Sequence, residues 1–247
     1  MPDRHQLEGK TALVTGAGVR LGRAFAVGLA EAGTDVVVHY NSSRGPAEET
    51  VALVTGLGQR SVSLSADLSD LNDTLGLVPR ANEALGPISI LINSAAIFGG
   101  AGLAETTPDG WQRHQDINLR APVLLTRAMA DSLAGSPGVV VNLLDWRALR
   151  PGADHFAYTV AKAGLAAATK AMAQALAPSI RVNGLALGAI LPPSGEAEES
   201  ESDIVDPVPL GRWGRVEEAV EALLFLVAGP AYLTGEIMQL DGGRHLV

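Results

Sequence analysis

Cysteine is absent from the 247 residues, which excludes a disulfide scaffold, thiol catalysis and thiolate zinc sites together. Histidine is sparse: His5, His39, His114, His155 and His245 are scattered without ligand spacing, so no protein-bound metal is expected. Basic residues are in deficit, with Lys+Arg at 18 against Asp+Glu at 27 and a formal net charge of −9. Phosphate backbones require a cationic face, so nucleic acid is not expected as a partner. The longest clean apolar run, Ala222 to Leu233, has 12 residues, short of the roughly 18 that a spanning helix needs. No membrane partner is expected either. Met1 to Lys10 is polar and mixed in charge, and the apolar run Thr11 to Val19 lacks a small-residue cleavage site. It reads as a buried strand rather than a signal peptide, and a cytoplasmic location is expected.

What is present is material for a core: 47% hydrophobic and 18% charged residues, with little sign of disorder. Short β-branched runs alternate with helical patterns from end to end. Strands are predicted at Thr11–Val14, Asp35–Tyr40, Ser61–Ser65, Ile88–Ile92, Gly138–Leu143, Arg181–Ala186 and Ile237–Leu240. Most are apolar on both faces, as in a parallel sheet covered by helices on both sides. Leu21, Phe25, Gly28, Leu29 and Ala32 form one apolar stripe at helical spacing. Ala157–Ala177 and Val216–Val227 read as two further helices. The alternation gives one α/β domain over residues 1–247, a doubly wound Rossmann arrangement with a parallel sheet of about seven strands. Leu191 to Pro207 breaks the rhythm with six acidic residues and no basic one. It reads either as a solvated surface loop or as a substrate lid, because ligands of open α/β sheets bind beyond the carboxyl ends of the strands.

The first strand runs into Thr15-Gly16-Ala17-Gly18-Val19-Arg20-Leu21-Gly22 and then directly into a helix. Glycines at 16, 18 and 22 allow a tight turn, close approach of a pyrophosphate, and close packing of the helix whose N–H groups face the anion. Residues about 20 positions further choose the dinucleotide. Here the second strand ends His39-Tyr40-Asn41-Ser42-Ser43-Arg44, with no carboxylate before Glu48. Hydrogen-bond donors and a guanidinium suit a 2′-phosphate, so NADP(H) is favoured over NAD; the same residues are also ordinary turn formers.

Tyr158 and Lys162 lie four apart on a predicted helix and share a face, while Asp145 closes the fifth strand 13 residues before Tyr158. With these residues in view, the chain resembles the short-chain dehydrogenase/reductase family over essentially its full length. The matching elements are Thr15–Gly22, Asp67-Leu68, Asn93-Ser94-Ala95, Asn118, Tyr158-Thr159-Val160-Ala161-Lys162, Arg181-Val182-Asn183 before Gly188, and Asp241-Gly242-Gly243. The resemblance implies Tyr158 as proton donor, Lys162 as a cation that lowers its pKa and holds the nicotinamide ribose, and Asn118 orienting a water. It implies cofactor contacts from Gly16, Gly18, Arg20, Leu21, Gly22, Tyr40, Asn41, Ser42, Ser43, Asp67, Leu68, Asn93, Ala95, Tyr158, Lys162 and Gly188. Asp67 would read the adenine or simply cap the following helix. A homotetramer built through the last helices and strand is implied as well.

Two departures from the commonest family pattern point to one branch. Arg20 stands where the middle glycine of the loop is usual, and Asp145 where a serine polarises the substrate. The chain is similar here to the pteridine reductases, including the bacterial dihydromonapterin reductases. In that branch Phe98, within Leu91 to Phe98, falls on the phenylalanine that stacks on the pterin. Val38 to Ser43 resembles its NADPH-phosphate turn, with Asn41 and Ser42 in place of a more basic pair. Ala96 replaces a substrate-contacting serine, and Leu187 replaces the usual proline before Gly188.

Chemistry supports Asp145 without the family. Hydride addition to a ketone builds negative charge that a carboxylate repels, whereas addition to a C=N bond is easiest when the nitrogen is protonated. Asp145 therefore favours an imine, such as a dihydropterin ring, over a simple carbonyl, unless it is an Asx-turn residue facing away. The resemblance implies a pterin-like small-molecule substrate bound by Arg20, Phe98, Asp145 and Tyr158. Arg20 alone could be a solvent-facing arginine, and Phe98 alone ordinary core; together they suit a flat heterocycle. The rival readings are a carbonyl reductase acting on a ketone or 3-oxoacyl thioester, and a non-catalytic dinucleotide sensor.

Overall fold

The computed structural model describes residues 7–191 and 205–247. Residues 192–204, most of the predicted lid or surface loop, lie outside the described residues.

Seven strands form the sheet: β1 (Thr11–Val14), β2 (Asp35–Tyr40), β3 (Ser61–Ser65), β4 (Ile90–Asn93), β5 (Gly138–Asp145), β6 (Ile180–Leu187) and β7 (Ile237–Leu240). Their order is β3-β2-β1-β4-β5-β6-β7, and every pairing is parallel. The sequence reverses direction between β1 and β4, which opens a crevice at their carboxyl ends. The helices are α1 (Arg20–Glu31), α2 (Arg44–Gly56), α3 (Leu71–Leu85), α4 (Pro108–Gln115), α5 (Ala121–Leu133), α6 (Phe156–Leu176) and α7 (Val216–Ala228).

Strand alternation assigns each side chain to one of two cores. Ala12, Val14, Val36, Val38, Ile90 and Ile92 pack with Phe25 and Leu29 of α1, Val54 of α2, and Leu223 and Leu226 of α7. Leu13, Val37, Leu91 and Val140 point the other way, onto Leu77 of α3, Leu125 and Met129 of α5, and Ala173 of α6. The apolar-on-both-faces pattern in the sequence is this double coverage.

Strand ends differ from the predicted ones by up to two residues. The consequential case is β5, which continues to Asp145 because Leu144 and Asp145 pair with Ala186 and Leu187. Asp145 is thus fixed by the ladder rather than carried on a loop. Leu187 sits in the ladder on both sides, opposite Asp145 and Leu240, a place where proline would supply no N–H.

Between α4 and α5 the helix widens into a π segment, Asp116–Arg120. Pro122 stands in the first turn of α5, has no N–H for the carbonyl four residues back, and would clash with it in α geometry. That carbonyl belongs to Asn118, and the π segment removes the conflict.

Candidate active site

The glycine loop leaves β1 at the crevice. Gly16 has φ +66, and a Cβ there would lie 3.0 Å from the Ala95 Cα. At Gly22 a Cβ would fall 2.2 Å from the Gly16 carbonyl oxygen, so α1 can begin against the loop only with glycine. Thr15 Oγ1 accepts from the N–H groups of Ser94 and Ala95, each at 2.9 Å, and ties the exits of β1 and β4 together. Val19 precedes α1 and makes no side-chain cap. The first-turn N–H groups are therefore not satisfied by a capping side chain, as a bound anion requires. Arg20 begins the helix with φ 53. The position needs a left-handed backbone, which is why glycine suits it and arginine is strained there.

His39 holds this loop. The Gly16 N–H donates to its Nδ1 at 3.0 Å, which leaves the proton on Nε2, 3.0 Å from the Ala66 carbonyl. Burial is the main reason that its pKa is lowered to about 4, so the ring is neutral. Arg23 clamps the other flank, donating to the carbonyls of Gly18 at 3.1 Å and Pro46 at 3.0 Å and to Glu49 at 2.9 Å. The loop is thereby locked to the start of α2, which follows the turn after β2. In that turn Asn41 and Ser42 are exposed and Tyr40 and Ser43 half-buried. Ser43 precedes α2 without a side-chain cap, and the exposed Arg44 donates to Glu48 at 2.8 Å. Loop and turn together fit a dinucleotide phosphate site.

Several expected cofactor contacts also have partners within the protein. Asp67 Oδ1 accepts from the N–H and hydroxyl of Ser69, at 2.9 and 2.7 Å. It shapes the turn, while the cap of α3 is Asp70. Leu68 is buried in the core under α3. Asn93 is turned inward, donating to Asn142 Oδ1 at 2.8 Å, and Asn142 donates on to Thr169 of α6 at 2.8 Å. The Gly188 N–H pairs with the Leu240 carbonyl at 3.0 Å. The side chains of Leu68 and Asn93 are buried. Leu21 lies partly buried against the core beside the loop.

On the other side of the crevice, Asp145 answers both alternatives at once. Oδ1 accepts from the Arg147 N–H at 2.8 Å and caps the single 3₁₀ turn Trp146–Ala148. Oδ2 accepts from the Tyr158 hydroxyl at 3.2 Å. One oxygen pins the main chain and the other faces the tyrosine. Burial raises the Asp145 pKa, against the main-chain hydrogen bond and the charge of Arg147. Tyr158 is pushed well up, first by burial and then by the Asp145 charge. This corrects the expectation that its pKa is lowered by Lys162: in this arrangement the carboxylate and burial prevail. Lys162 is itself pulled down by burial to about 8, and its Nζ donates to the Leu143 carbonyl at 2.6 Å.

Asn118 is tied by its side chain to the segment after β4. Its side chain is fully buried, accepting from the Ile97 N–H and donating to the Ile97 carbonyl, both at 3.0 Å. It holds the segment that carries Phe98. Phe98 is half-exposed, edge-on to Tyr158 at 4.8 Å, with His155 stacked on it at 4.1 Å. His155, in a left-handed conformation with Nδ1 on the Gly99 carbonyl at 2.8 Å, thus covers part of that ring. Trp146 packs between the guanidinium groups of Arg147 at 4.8 Å and Arg244 at 4.7 Å. Sequence reasoning passed over His39 and Arg147; a histidine ending a Val-Val-Val strand and an arginine two residues after the strand-closing aspartate were the available signals.

Comparison with known proteins agrees with this geometry. The family model described as Enoyl-(Acyl carrier protein) reductase matches residues 16–245. The L-rhamnose 1-dehydrogenase (NAD(P)(+)) of a Sphingomonas strain is 31% identical, over 97% of this chain and 98% of that protein. The 3-oxoacyl-[acyl-carrier-protein] reductase of a Synechocystis strain is also 31% identical, over 96% and 97%. The crystal structure of FolM Alternative dihydrofolate reductase 1 from Brucella canis, complexed with NADP, superposes with a TM-score of 0.91. It shares 33% identity and covers 99% of this chain and 97% of its own. With the glycine loop, the Tyr158–Lys162 helix and full-length relatives of this kind, the chain belongs to the short-chain dehydrogenase/reductase family.

Proposed function

We propose that this protein is an NADPH-dependent reductase that adds hydride to the C=N bond of a dihydropterin. The observation that carries the reading is the buried carboxylate of Asp145 at 3.2 Å from the Tyr158 hydroxyl. The likeness to an alternative dihydrofolate reductase crystallised with NADP supports it. Bound NADPH supplies the hydride. The loop Gly16–Gly22 with the uncapped start of α1 takes the pyrophosphate, and Asn41, Ser42 and Ser43 with Arg44 take the 2′-phosphate. Lys162 and Tyr158 hold the nicotinamide ribose.

The chain's own acid groups then handle the proton. Burial makes Asp145 readier to hold a proton than an ordinary aspartate. As a carboxylate it stabilises a protonated substrate nitrogen, and as an acid it can deliver the proton there, with Tyr158 as the adjoining donor. Phe98 offers an apolar ring beside that point, and Arg20 a guanidinium at the mouth of the glycine loop. Asn118 acts through Ile97, keeping Phe98 in position.

Carbonyl reduction is the second reading, favoured by the likeness to a sugar dehydrogenase and a 3-oxoacyl reductase. Under it, Asp145 has to be protonated when negative charge develops on oxygen. NADPH oxidation measured over dihydropterins and ketones in parallel, with NADH as control, separates the two. Asp145→Ser is expected to lower dihydropterin turnover about a hundredfold with the NADPH dissociation constant unchanged. Equal dihydropterin turnover in both proteins would refute the reading, and absence of NADPH consumption with any substrate would favour a sensor.

The proposal includes a homotetramer in the cytoplasm. Phe225 on α7 and Tyr232 before β7 are exposed apolar side chains, which supports contacts through the last helix and strand.

A further inference from the structure

Arg147 stands between two carboxylates beside Tyr158. Its Nη2 donates to Asp154 at 3.1 Å, and its Nη1 lies 3.9 Å from Asp145 Oδ1. The side chain is only 18% exposed, whereas Asp154 is 49% exposed. The guanidinium lies 4.8 Å from the Trp146 ring and 6.0 Å from Phe98, and its Nε is buried without a hydrogen-bond partner. Charge and ring faces, more than a full set of hydrogen bonds, therefore hold it in place. The result is a ladder of alternating groups, Tyr158–Asp145–Arg147–Asp154, from the buried hydroxyl to the surface.

We propose that Arg147 is a positioning residue that sets the charge on Asp145, and that Asp154 sets how much of the Arg147 charge Asp145 receives. Among the described residues, Tyr158 and Lys162 on α6 also act on Asp145; His155 at the start of α6 lies beside Asp154, and Arg244 of the C-terminal turn lies against Trp146. Lys162 also favours the charged form of Asp145 while its Nζ donates to the Leu143 carbonyl, and Arg244 lies 4.7 Å from the indole ring. Arg147 lies within 4 Å of Asp145 Oδ1 and is the larger of the two cationic influences on it, Lys162 being the other. Burial drives that carboxyl towards its neutral form, and a cation within a few ångströms drives it back. Asp154 competes for the same cation. Removing Arg147 and removing the Asp154 charge must then move Asp145 in opposite directions.

The inference rests on the proposed function only in giving Asp145 a substrate nitrogen to serve; the charge coupling belongs to the protein alone. The primary test is accordingly the carboxyl ¹³C titration of Asp145 in aspartate-labelled protein, assigned by its loss in Asp145→Asn. Arg147→Gln keeps the main-chain N–H on Oδ1 and is expected to raise the titration midpoint by about one pH unit or more. Arg147→Lys should restore most of that change. Asp154→Asn, at a half-exposed site where folding is not at risk, should lower the midpoint. The limb of the kcat/KM–pH profile governed by Asp145 should follow the same directions with the dihydropterin. Midpoints that stay in place, or that move the same way in Arg147→Gln and Asp154→Asn, would overturn the inference. Midpoints that move as expected in a protein that does not turn over dihydropterins would leave it standing and remove the substrate assignment instead.

Discussion

The crevice has two sides that are built differently. From β1 to β3 the groups that do the holding are largely main-chain: the Gly16 N–H on a neutral His39, the Ser94 and Ala95 N–H groups on Thr15, the Gly18 and Pro46 carbonyls on Arg23. From β5 to α6 the work falls to ionisable side chains, with Asp145, Tyr158 and Lys162 all shifted by burial. A phosphate needs fixed N–H dipoles, which the backbone supplies without titrating. Proton delivery needs groups whose charge can change, and burial makes that change sensitive to neighbours. One side is therefore intolerant of an added Cβ, the other of an altered charge.

The comparison is sharpened most by Tyr158→Phe. It removes the hydroxyl on Asp145 and one contact to the nicotinamide ribose while leaving the glycine loop untouched, so turnover should fall at least about a hundredfold and NADPH affinity far less. A parallel loss of cofactor affinity, measured by fluorescence titration, would mean that the two sides are not separable.

His39 offers an intermediate effect on the other side. Its pKa is about 4 in the fold against 6.5 for the free side chain. The unfolded chain therefore binds more protons between these values, and stability is complete above pH 6.5 and falls as the pH drops towards 4. The expected loss from this residue is about 3 kcal/mol across that window. Urea unfolding at pH 7.5 and 4.5 should show a smaller difference in His39→Gln than in the parent protein. Equal differences would show that the main-chain side titrates through some other group.

The smallest effect is expected at Arg20. Its left-handed backbone costs about 1 kcal/mol in any residue with a Cβ. Arg20→Gly should raise thermal stability by roughly 0.5–1 kcal/mol, and under the proposed function it should weaken dihydropterin binding. Lower stability in the glycine variant would show that the side chain's contacts outweigh the backbone strain.

Much of this architecture was legible from residues close in sequence. Val36-Val37-Val38 and Val139-Val140-Val141 announce strands covered on both faces, because such runs have no other way to leave water. Thr15 to Gly22 announces a turn and a helix start, because its glycines are needed by neighbours only a few residues away. The four-residue step from Tyr158 to Lys162 is a property of the helix itself. Residues whose role depends on distant segments were harder to place. Leu68 and Asn93 follow strand ends like cofactor contacts but face the core. Asn118 has the right identity, yet its amide closes on Ile97, 21 residues away.

Local periodicity and composition thus determined the layers, the strand order's parallel character and the position of the glycine loop, since these follow from backbone geometry and burial over short stretches. Only the packed structure decided the ionisation of the site. That Tyr158 is pushed up rather than down, that His39 is neutral and that Arg147 stands between two acids depend on which charges burial brings within a few ångströms. Coulomb interaction acts through space and solvent exclusion, and neither is written along the chain.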